Sequence, residues 1–401
     1  MKKLMLLGGS AQQVIAIETA KKLGLYTIIC DYLPDNPGQF VADKFYQIST
    51  TDKQAILKIA LYENIDAIVA YASDPAAPTA AYVAEKMGLP GNPYEAVKTL
   101  CNKDKFRDFL ARNGFNTPTA CGYNNASEAL KDIKNGKFHF PIIIKPVDSS
   151  GSKGVSVLEN ASNHQNAIEY AFYFSRQKRI IVEEFIERAH PYLIGGDIYV
   201  SDGKIILWGL LNCLRDFKVN PLVPVGKSYP LELSLKQKQI VRKTLQELIT
   251  ALGIRNSAMN IELIVDKNNQ VWPIDIGPRN GGNMIPDLLG YIFNVDVIEM
   301  TLRGAIGDTE VPLISEGKPF YATYNIHSIR KGIYENIKFD DFLNPYIIQK
   351  KLYKKRGDLV EFFDNAAKVL GIVFFKFPSK EIMDYILKNI DKWIHVNLKP
   401  E

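Results

Sequence analysis

The sequence has few cysteines, and no two of them lie close together. Cys30, Cys101, Cys121 and Cys213 are widely spaced, so no CxxC pair is present. Without such a pair the sequence predicts neither a structural zinc site nor a thioredoxin-like redox motif. So few cysteines in a chain of 401 residues are typical of a protein from a reducing compartment, and we expect a cytoplasmic location.

Long apolar runs are also lacking. No stretch approaches the roughly 20 apolar residues of a membrane-spanning helix. The apolar run from Leu4 to Leu7 is shorter than the core of a secretory signal peptide, and it ends at Gly8-Gly9 as a strand would. We therefore expect no membrane partner.

Charge of one sign is not in large excess. The formal charge is +5, from 49 basic and 44 acidic side chains. The one basic cluster lies at 350–356, and a solvated surface explains it better than a binding patch. The sequence therefore predicts no nucleic-acid partner. A homodimer is the ordinary expectation for a soluble enzyme.

The first part of the chain predicts a small α/β domain. Strand, helix and strand patterns alternate, which is the order of a parallel sheet. The predicted strands are 3–9, 26–30 and 67–70, and the predicted helices are 11–23, 53–63 and 75–87. Gly8-Gly9-Ser10 does not match the GxGxxG pattern of dinucleotide sites. We therefore interpret Asp31 as a residue at the end of a strand, and an NAD-binding role for it is the weaker alternative.

Residues 140–154 combine an apolar strand with a loop of small residues. Ile142 to Ile144 predict a strand buried on both faces, which ends at Lys145. Glycines in the loop would let backbone N–H groups approach phosphate oxygens, and two lysines add positive charge. We interpret this loop as a cover for the phosphates of ATP, although a hairpin loop with solvated lysines fits the local pattern equally well. The loop residues are Ser149, Ser150, Gly151, Ser152, Lys153 and Gly154.

The stretch 180–187 places two acids between apolar residues. Glu183 and Glu184 follow three aliphatic residues and precede Phe185 and Ile186. A purine needs this mixture, because its ring requires an apolar face and its exocyclic amine requires an acceptor. A strand whose charged end lies at the surface is the alternative.

A hairpin near residue 270 carries the most informative pair of acids. Glu262 and Asp275 are each flanked by apolar residues on neighbouring predicted strands. Buried carboxylates are costly, and two of them repel each other unless a cation lies between them. Mg²⁺ prefers such oxygen ligands together with substrate phosphates, so we interpret the pair as its ligands. Pairing of each acid with a nearby basic side chain is the alternative.

Two arginines are candidates for binding the reacting groups. Arg279 follows Asp275 by four residues, and its guanidinium could bind a phosphoryl group or a carboxylate through two hydrogen bonds. Arg215 is a candidate for holding a substrate acid, and a surface salt bridge is the equally good alternative. The pattern also predicts one helical segment over 96–116 that carries Lys103, and a mobile loop over 219–230.

Taken together, these stretches resemble the ATP-grasp superfamily, in the branch that includes biotin carboxylase, carbamoyl phosphate synthase and the glycinamide ribonucleotide synthetases. The resemblance rests on the ordered motifs NKDKFRDFLARNGFNTP, FPIIIKPVDSSGSKGV, IIVEEFI, NIELI and PIDIGPRNGG. It implies a mixed α/β and α+β fold in three parts. These are a Rossmann-like pre-ATP-grasp domain over 1–95, a two-lobed ATP-grasp domain over 96–304 with a linker helix at 96–116, and a small α+β domain over 305–401, for which the sequence indicates no function.

The resemblance also implies a site for ATP and Mg²⁺, with Mn²⁺ as the alternative metal. By position in the motifs, Lys103, Lys145 and the loop of Ser149 to Gly154 would bind phosphates, and Glu262 and Asp275 would bind the metal. Glu183 to Ile186 match the adenine-binding strand, His190 the ribose contact, and Arg279 the arginine near the γ-phosphate. Many members have asparagine where this chain has Gly277, which leaves the number of metal ions open, with Asn283 or water as substitutes.

The implied activity is a carboxylate–amine ligase that works through an acyl phosphate. Its partners would be a small acid and an amine. A bicarbonate-dependent carboxylase of the carboxyphosphate type is a second expectation, and a nucleotide-binding protein without catalysis is a third.

Overall fold

The N-terminal domain is a parallel sheet between helices. The computed structural model describes residues 1–308 and 310–400, and the sheet has the strand order β3-β2-β1-β4, with all pairs parallel. Leu4 and Leu6 pack on one face and Met5 and Leu7 on the other, as expected of a strand buried on both sides. This confirms the predicted α/β domain. Its elements are β1 (Lys3–Leu7), α1 (Val14–Lys22), β2 (Tyr26–Asp31), β3 (Lys44–Gln47), α2 (Lys53–Glu63), β4 (Ala67–Val69) and α3 (Ala77–Met87).

The linker predicted as one helix over 96–116 is two helices, α4 (Tyr94–Leu100) and α5 (Lys103–Arg112). The break falls at Asn102, whose backbone is extended and whose side chain donates to the carbonyl of Lys98 at 2.7 Å. The backbone N–H of Lys103 then donates to the carbonyl of Val147 at 2.9 Å. The break therefore turns the first residue of α5 toward the strand end that precedes the glycine-rich loop.

A small antiparallel sheet follows, with the order β5-β8-β6-β7. After the glycine-rich loop the chain returns as β7, which pairs antiparallel with β6. Ile142 and Ile144 are fully buried, and on the opposite face Lys145 is buried and Ile143 half-buried, so the strand is largely buried on both faces, as predicted. The elements are β5 (Ala120–Tyr123), α6 (Ala126–Lys134), β6 (Ile142–Pro146), β7 (Ser156–Leu158), α7 (His164–Phe174) and β8 (Ile180–Glu184).

The rest of the chain builds an eight-stranded sheet of order β13-β12-β9-β10-β11-β14-β18-β16, and a three-stranded sheet of order β17-β15-β19. Neighbouring strands of the large sheet are antiparallel. The elements are β9 (Leu193–Ser201), β10 (Lys204–Arg215), β11 (Pro224–Tyr229), α8 (Leu235–Leu252), β12 (Ser257–Val265), β13 (Val271–Gly277), α9 (Ile285–Phe293), α10 (Val297–Ala305), β14 (Tyr321–Ile326), β15 (Gly332–Phe339), β16 (Ile347–Leu352), β17 (Leu359–Val360), β18 (Gly371–Lys376), α11 (Lys380–Lys388) and β19 (Ile394–Lys399).

The prediction of a mobile loop over 219–230 is wrong. Its second half is β11, which pairs with β10 on one side and β14 on the other. Val223 and Val225 are buried, and Pro224 is the first residue of the strand, a position where the missing N–H is tolerated. Proline and glycine in this segment were therefore misleading signals.

The predicted boundary at 305 does not separate two sheets. β14, β18 and β16 extend the same sheet that carries Glu262 and Asp275. Leu211 of β10 and Phe374 of β18 belong to one hydrophobic core. Three strands of the C-terminal segment therefore belong to the sheet that carries the two acids, whereas β15, β17 and β19 form a separate sheet. Among the residues that the structure describes, no helix has the length and apolar character needed to cross a membrane.

Candidate active site

A cleft of about 440 Å³ lies between the small antiparallel sheet and the large sheet. Seven basic side chains and three acidic ones line it. That excess of positive charge suits a polyanionic ligand, because low-dielectric walls focus the field into the cleft. The charged residues are Lys103, Lys145, Lys153, Arg188, Arg215, Lys227, Arg279, Asp74, Glu262 and Asp275.

Lys145 is held at the cleft wall by a buried ion-pair network. Its ammonium contacts Glu183, and Arg107 Nε donates to the second carboxylate oxygen of Glu183 at 2.9 Å. All three side chains are almost fully buried. Burial lowers the pKa of Lys145. Burial alone would raise the pKa of Glu183, but Arg107 and Lys145 lower it to about 2.

The network corrects the predicted role of Glu183. Its two carboxylate oxygens bind Arg107 and Lys145, and it does not line the cleft. The carboxylate is therefore not free to accept a hydrogen bond from a purine amine. The sequence pattern failed here because Arg107 lies 76 residues away, so no local signal indicated the pairing.

Two more residues of the predicted nucleotide pocket point elsewhere. Glu184 accepts a hydrogen bond from the backbone N–H of His139 at 2.9 Å, and His190 Nε2 accepts one from the backbone N–H of Val265 at 3.0 Å. Neither lines the cleft, whereas Phe185 and Ile186 do. The apolar part of the predicted adenine site is thus in place. The ribose contact predicted for His190 is not supported, because His190 does not line the cleft and its Nε2 is bound to the backbone of Val265.

The glycine-rich loop forms part of the cleft wall. Ser149, Ser150, Gly151, Ser152 and Lys153 line it. Ser152 Oγ donates to the carbonyl of Leu222 at 3.0 Å, so the loop is tied to the segment before β11. Gly154 does not line the cleft. Its φ is +76°, and an added Cβ would lie 2.7 Å from Pro146, so glycine is needed there for packing and backbone conformation.

Glu262 and Asp275 stand directly opposite each other on β12 and β13, and both line the cleft. Lys103 Nζ lies 3.3 Å from an oxygen of Asp275 and donates to the carbonyl of Ser149 at 3.0 Å. Burial would raise the pKa of Asp275, but Lys103 lowers it. The alternative of a lysine partner therefore holds for Asp275, while Glu262 has no ion pair among the described residues.

The two acids suit a divalent cation that also binds the phosphates of a nucleotide. Within residues 1–308 and 310–400 no group of three or more histidine, cysteine, aspartate or glutamate side chains could hold a metal. Two facing carboxylates are nevertheless what Mg²⁺ commonly takes from a protein when phosphates and water complete its shell. The donor set therefore agrees with a metal that binds together with ATP.

Arg279 is fixed by an acid that the sequence analysis missed. Its guanidinium binds both carboxylate oxygens of Asp74, one through Nε at 2.8 Å. A Cβ at Gly277 would lie 2.7 Å from the same carboxylate, which explains why this chain has glycine where the asparagine was expected. Asp74 lies between β4 and α3, at the carboxyl end of a parallel strand, and that position was the available signal.

Arg215 lines the cleft, and one of its terminal nitrogens is buried without a hydrogen-bond partner among the described residues. The predicted alternative of a surface salt bridge is therefore not observed. Lys227, Thr323 and Asn325 line the cleft as well, and sequence reasoning missed them because it treated their segments as a loop and as a separate domain.

Comparison with known proteins agrees with this geometry. Residues 138–287 match the family model of the ATP-grasp domain. The formate-dependent phosphoribosylglycinamide formyltransferase of Prochlorococcus marinus is 34% identical over 322 residues, which cover 76% of this chain and 77% of that protein.

Two solved structures are similar over nearly their whole length. The L-amino acid ligase of Bacillus licheniformis has a TM-score of 0.82 at 19% identity, covering 100% of this chain and 99% of that one. The phosphoribosylglycinamide synthetase of Anaerococcus prevotii has a TM-score of 0.77 at 21% identity, covering 99% and 100%. At these identities the likeness establishes a shared fold.

Proposed function

This chain belongs to the ATP-grasp family of ATP-dependent ligases, and from that premise we propose that its cleft joins a small carboxylic acid to an amine. The family uses ATP with Mg²⁺, and we propose Mn²⁺ as a functional substitute. The observation that carries the proposal is the combination of two facing carboxylates, Glu262 and Asp275, with a basic cleft that contains Arg215, one of whose terminal nitrogens has no hydrogen-bond partner among the described residues.

The first step forms an acyl phosphate. A carboxylate oxygen of the substrate attacks the γ-phosphorus of ATP, the bond from that phosphorus to the β,γ-bridging oxygen breaks, and ADP leaves. Lys103, Lys145 and Lys153 bind phosphate oxygens, and Arg279 orients the transferring group. Glu262 and Asp275 would hold Mg²⁺, which supplies charge neutralisation at the phosphates when bound. Positioning and charge neutralisation are the main contributions of the protein.

The second step forms the amide. The amine nitrogen attacks the acyl carbon, the bond from that carbon to the phosphate oxygen breaks, and inorganic phosphate leaves with the electron pair. The amine gives up a proton to solvent. The similar formyltransferase of Prochlorococcus marinus is formate-dependent, which supports an acid as the first substrate. Neither step requires a nucleophile from the protein.

The proposal is tested by following ADP formation from Mg-ATP with a panel of small acids. Hydroxylamine replaces the amine, because it converts an acyl phosphate into a hydroxamate that is measured by its iron complex. We expect ADP and hydroxamate to form in equal amounts with an accepted acid. If no acid raises ADP formation above the basal rate, the proposal fails, and stimulation by bicarbonate alone would favour the carboxyphosphate alternative.

We further propose that the protein is cytoplasmic, in keeping with its four free cysteines. We also propose that it forms a homodimer. Light scattering on the purified protein measures its mass. A mass of about 45 kDa, that of one chain, would contradict the dimer.

A further inference from the structure

One end of the cleft carries polar side chains that the proposed phosphate chemistry does not use. Arg215, Lys227 and Asn325 lie on β10, β11 and β14, three adjacent strands of the large sheet. Lys227 stands opposite Cys213 on one side and Thr323 on the other. Because side chains alternate along a strand, Asn325 shares a face with Thr323. The strand register shifts between Leu214 and Arg215, and Arg215 lines the same cleft as Lys227 and Asn325.

Lys227 links this end to the two acids. Gly195 stands opposite Glu262 in the sheet, and an added Cβ at Gly195 would lie 2.7 Å from Lys227 Nζ. The ammonium therefore lies over Gly195, beside the strand that carries Glu262. A carboxylate bound by Lys227 would be close to the position proposed for the metal and the γ-phosphate.

Lys227 and Asn325 are buried, Arg215 is half-buried with one buried terminal nitrogen, and all three are incompletely paired among the described residues. Lys227 is 8% exposed and its side chain contacts Cys213 Sγ at 2.7 Å, but it has no ion pair within the described ranges. Asn325 is 3% exposed, and its Oδ1 has no hydrogen-bond partner among the described residues. Buried polar atoms left without partners are costly, and groups of this kind that line a cleft are explained by a ligand that completes them.

The orientation of the asparagine amide is determined by its surroundings. Asn325 Nδ2 donates to the carbonyl of Pro224 at 3.1 Å, so Oδ1 is the atom left free. His327 contacts the carbonyl of Asn325 at 2.8 Å and Asp216 at 3.1 Å, which holds the ends of β14 and β10 together. The site therefore offers two cationic donors and one neutral acceptor at rigid positions.

From this pattern we propose that the acid accepted by the cleft is an α-amino acid, with its carboxylate between Lys227 and Arg215 and its amino group donating to Asn325 Oδ1. An amide oxygen only accepts hydrogen bonds, so it requires N–H or O–H next to the carboxylate. A simple fatty acid would leave Oδ1 unpaired. This inference rests on the proposed function and narrows its substrate class.

The test compares acids that differ only at the α-carbon. For each of alanine and valine, the L-amino acid, the matching acid without the amino group and the matching 2-hydroxy acid are assayed for ADP formation with Mg-ATP and hydroxylamine. We expect kcat/KM for the amino acid to exceed that of the unsubstituted acid by at least about tenfold, since one hydrogen bond to a buried acceptor is at stake. Hydroxy acids as the best substrates would overturn the assignment of the amino group.

Asn325→Leu removes the acceptor at similar size, and Asn325→Asp keeps an acceptor. We expect N325L to lower kcat/KM for the amino acid about tenfold more than it lowers kcat/KM for the unsubstituted acid, whereas N325D retains selectivity for the amino acid over the hydroxy acid. Asn344→Leu, at an exposed position that binds Asp341, is the control. If N325L does not fold, the selectivity of N325D for the amino acid over the hydroxy acid is compared with that of the wild type, and a loss of selectivity would contradict the assignment.

Failure of this inference is distinguishable from failure of the proposed function. If unsubstituted acids and amino acids give equal ADP and hydroxamate, or if N325L lowers both equally, the amino-acid assignment is wrong while the ligase activity stands. If no acid in the panel stimulates ADP formation, the proposed function itself fails.

Discussion

The two ends of the cleft differ in how their polar groups are paired. At the nucleotide end, Lys145 and Arg107 are both bound to Glu183. At the other end, Arg215 and Asn325 each keep a buried atom without a partner among the described residues. A paired network holds its side chains in place before any ligand arrives, whereas unpaired groups gain their partners only from a ligand. The first end is therefore suited to a constant ligand, and the second to the ligand that gives this protein its specificity.

The largest expected effect comes from the acids between these two ends. Replacing Glu262 by Gln and Asp275 by Asn keeps side-chain size and removes both negative charges. We expect turnover with Mg-ATP to fall about 10⁴-fold, because charge stabilisation of the phosphates is lost. Unchanged turnover in the double variant, measured as ADP formation at saturating Mg²⁺, would remove the basis of the proposed metal site.

Glu183→Ala tests the paired end. It leaves Lys145 and Arg107 buried without their acid, and breaking such a buried pair costs about 3–5 kcal/mol. Urea unfolding measures the loss in the free energy of unfolding. Glu187→Ala, at an exposed position three residues beyond β8, is the matched control and we expect almost no change. An equally small effect for Glu183 would show that the network does not stabilise the fold.

The same network predicts how stability depends on pH. The pKa of Glu183 is lowered from 4.5 to about 2, so the folded state binds its proton more weakly than the unfolded state does. Its contribution, about 3 kcal/mol, is present above pH 4.5 and is lost as the pH falls toward 2. The measurement is the free energy of unfolding in urea, determined for the wild type and for Glu183→Gln between pH 3 and pH 7. A parallel loss in both proteins would contradict the assignment.

Arg215→Ala tests the unpaired end. We expect KM for the acid to rise about 100-fold while stability changes little, since a charge-assisted bond to a carboxylate is lost but no internal ion pair is broken. Arg215→Lys should recover part of this loss. Arg255→Ala, which breaks an exposed pair with Asp202, serves as the control. A large loss of stability in Arg215→Ala would place that residue with the paired network instead.

The smallest expected effect concerns Gly277. Installing the asparagine that the resemblance led us to expect should lower kcat/KM about tenfold, because its Cβ would displace Asp74 from Arg279. Asp74→Asn, which weakens the same pair, should lower it to a similar degree. A gain in activity for Gly277→Asn would indicate that the pocket has room for a further metal ligand.

Local patterns in the sequence predicted much of the fold. The alternating elements of the first domain, the glycine-rich loop after Lys145 and the hairpin that pairs Glu262 with Asp275 are all present. Each depends on neighbouring residues or on one turn, so periodicity and turn residues carry the information. Strand β11 was not predicted, because Pro224 and Gly226 are typical of loops and this signal was stronger than the apolar signal of Val223 and Val225, which are buried.

Partners distant in the sequence could not be predicted. The sequence by itself determined the strands and helices of the first domain, the glycine-rich loop and the hairpin that carries the two acids, because those features follow from short stretches of side chains. Only the tertiary structure decided that Arg107 neutralises Glu183, that Asp74 holds Arg279, and that β14 brings Asn325 to the cleft. The physical reason is that a buried charge or amide is satisfied by whichever group packing places within hydrogen-bond distance, and packing joins residues that lie 76 positions apart in one of these pairs and 205 in another.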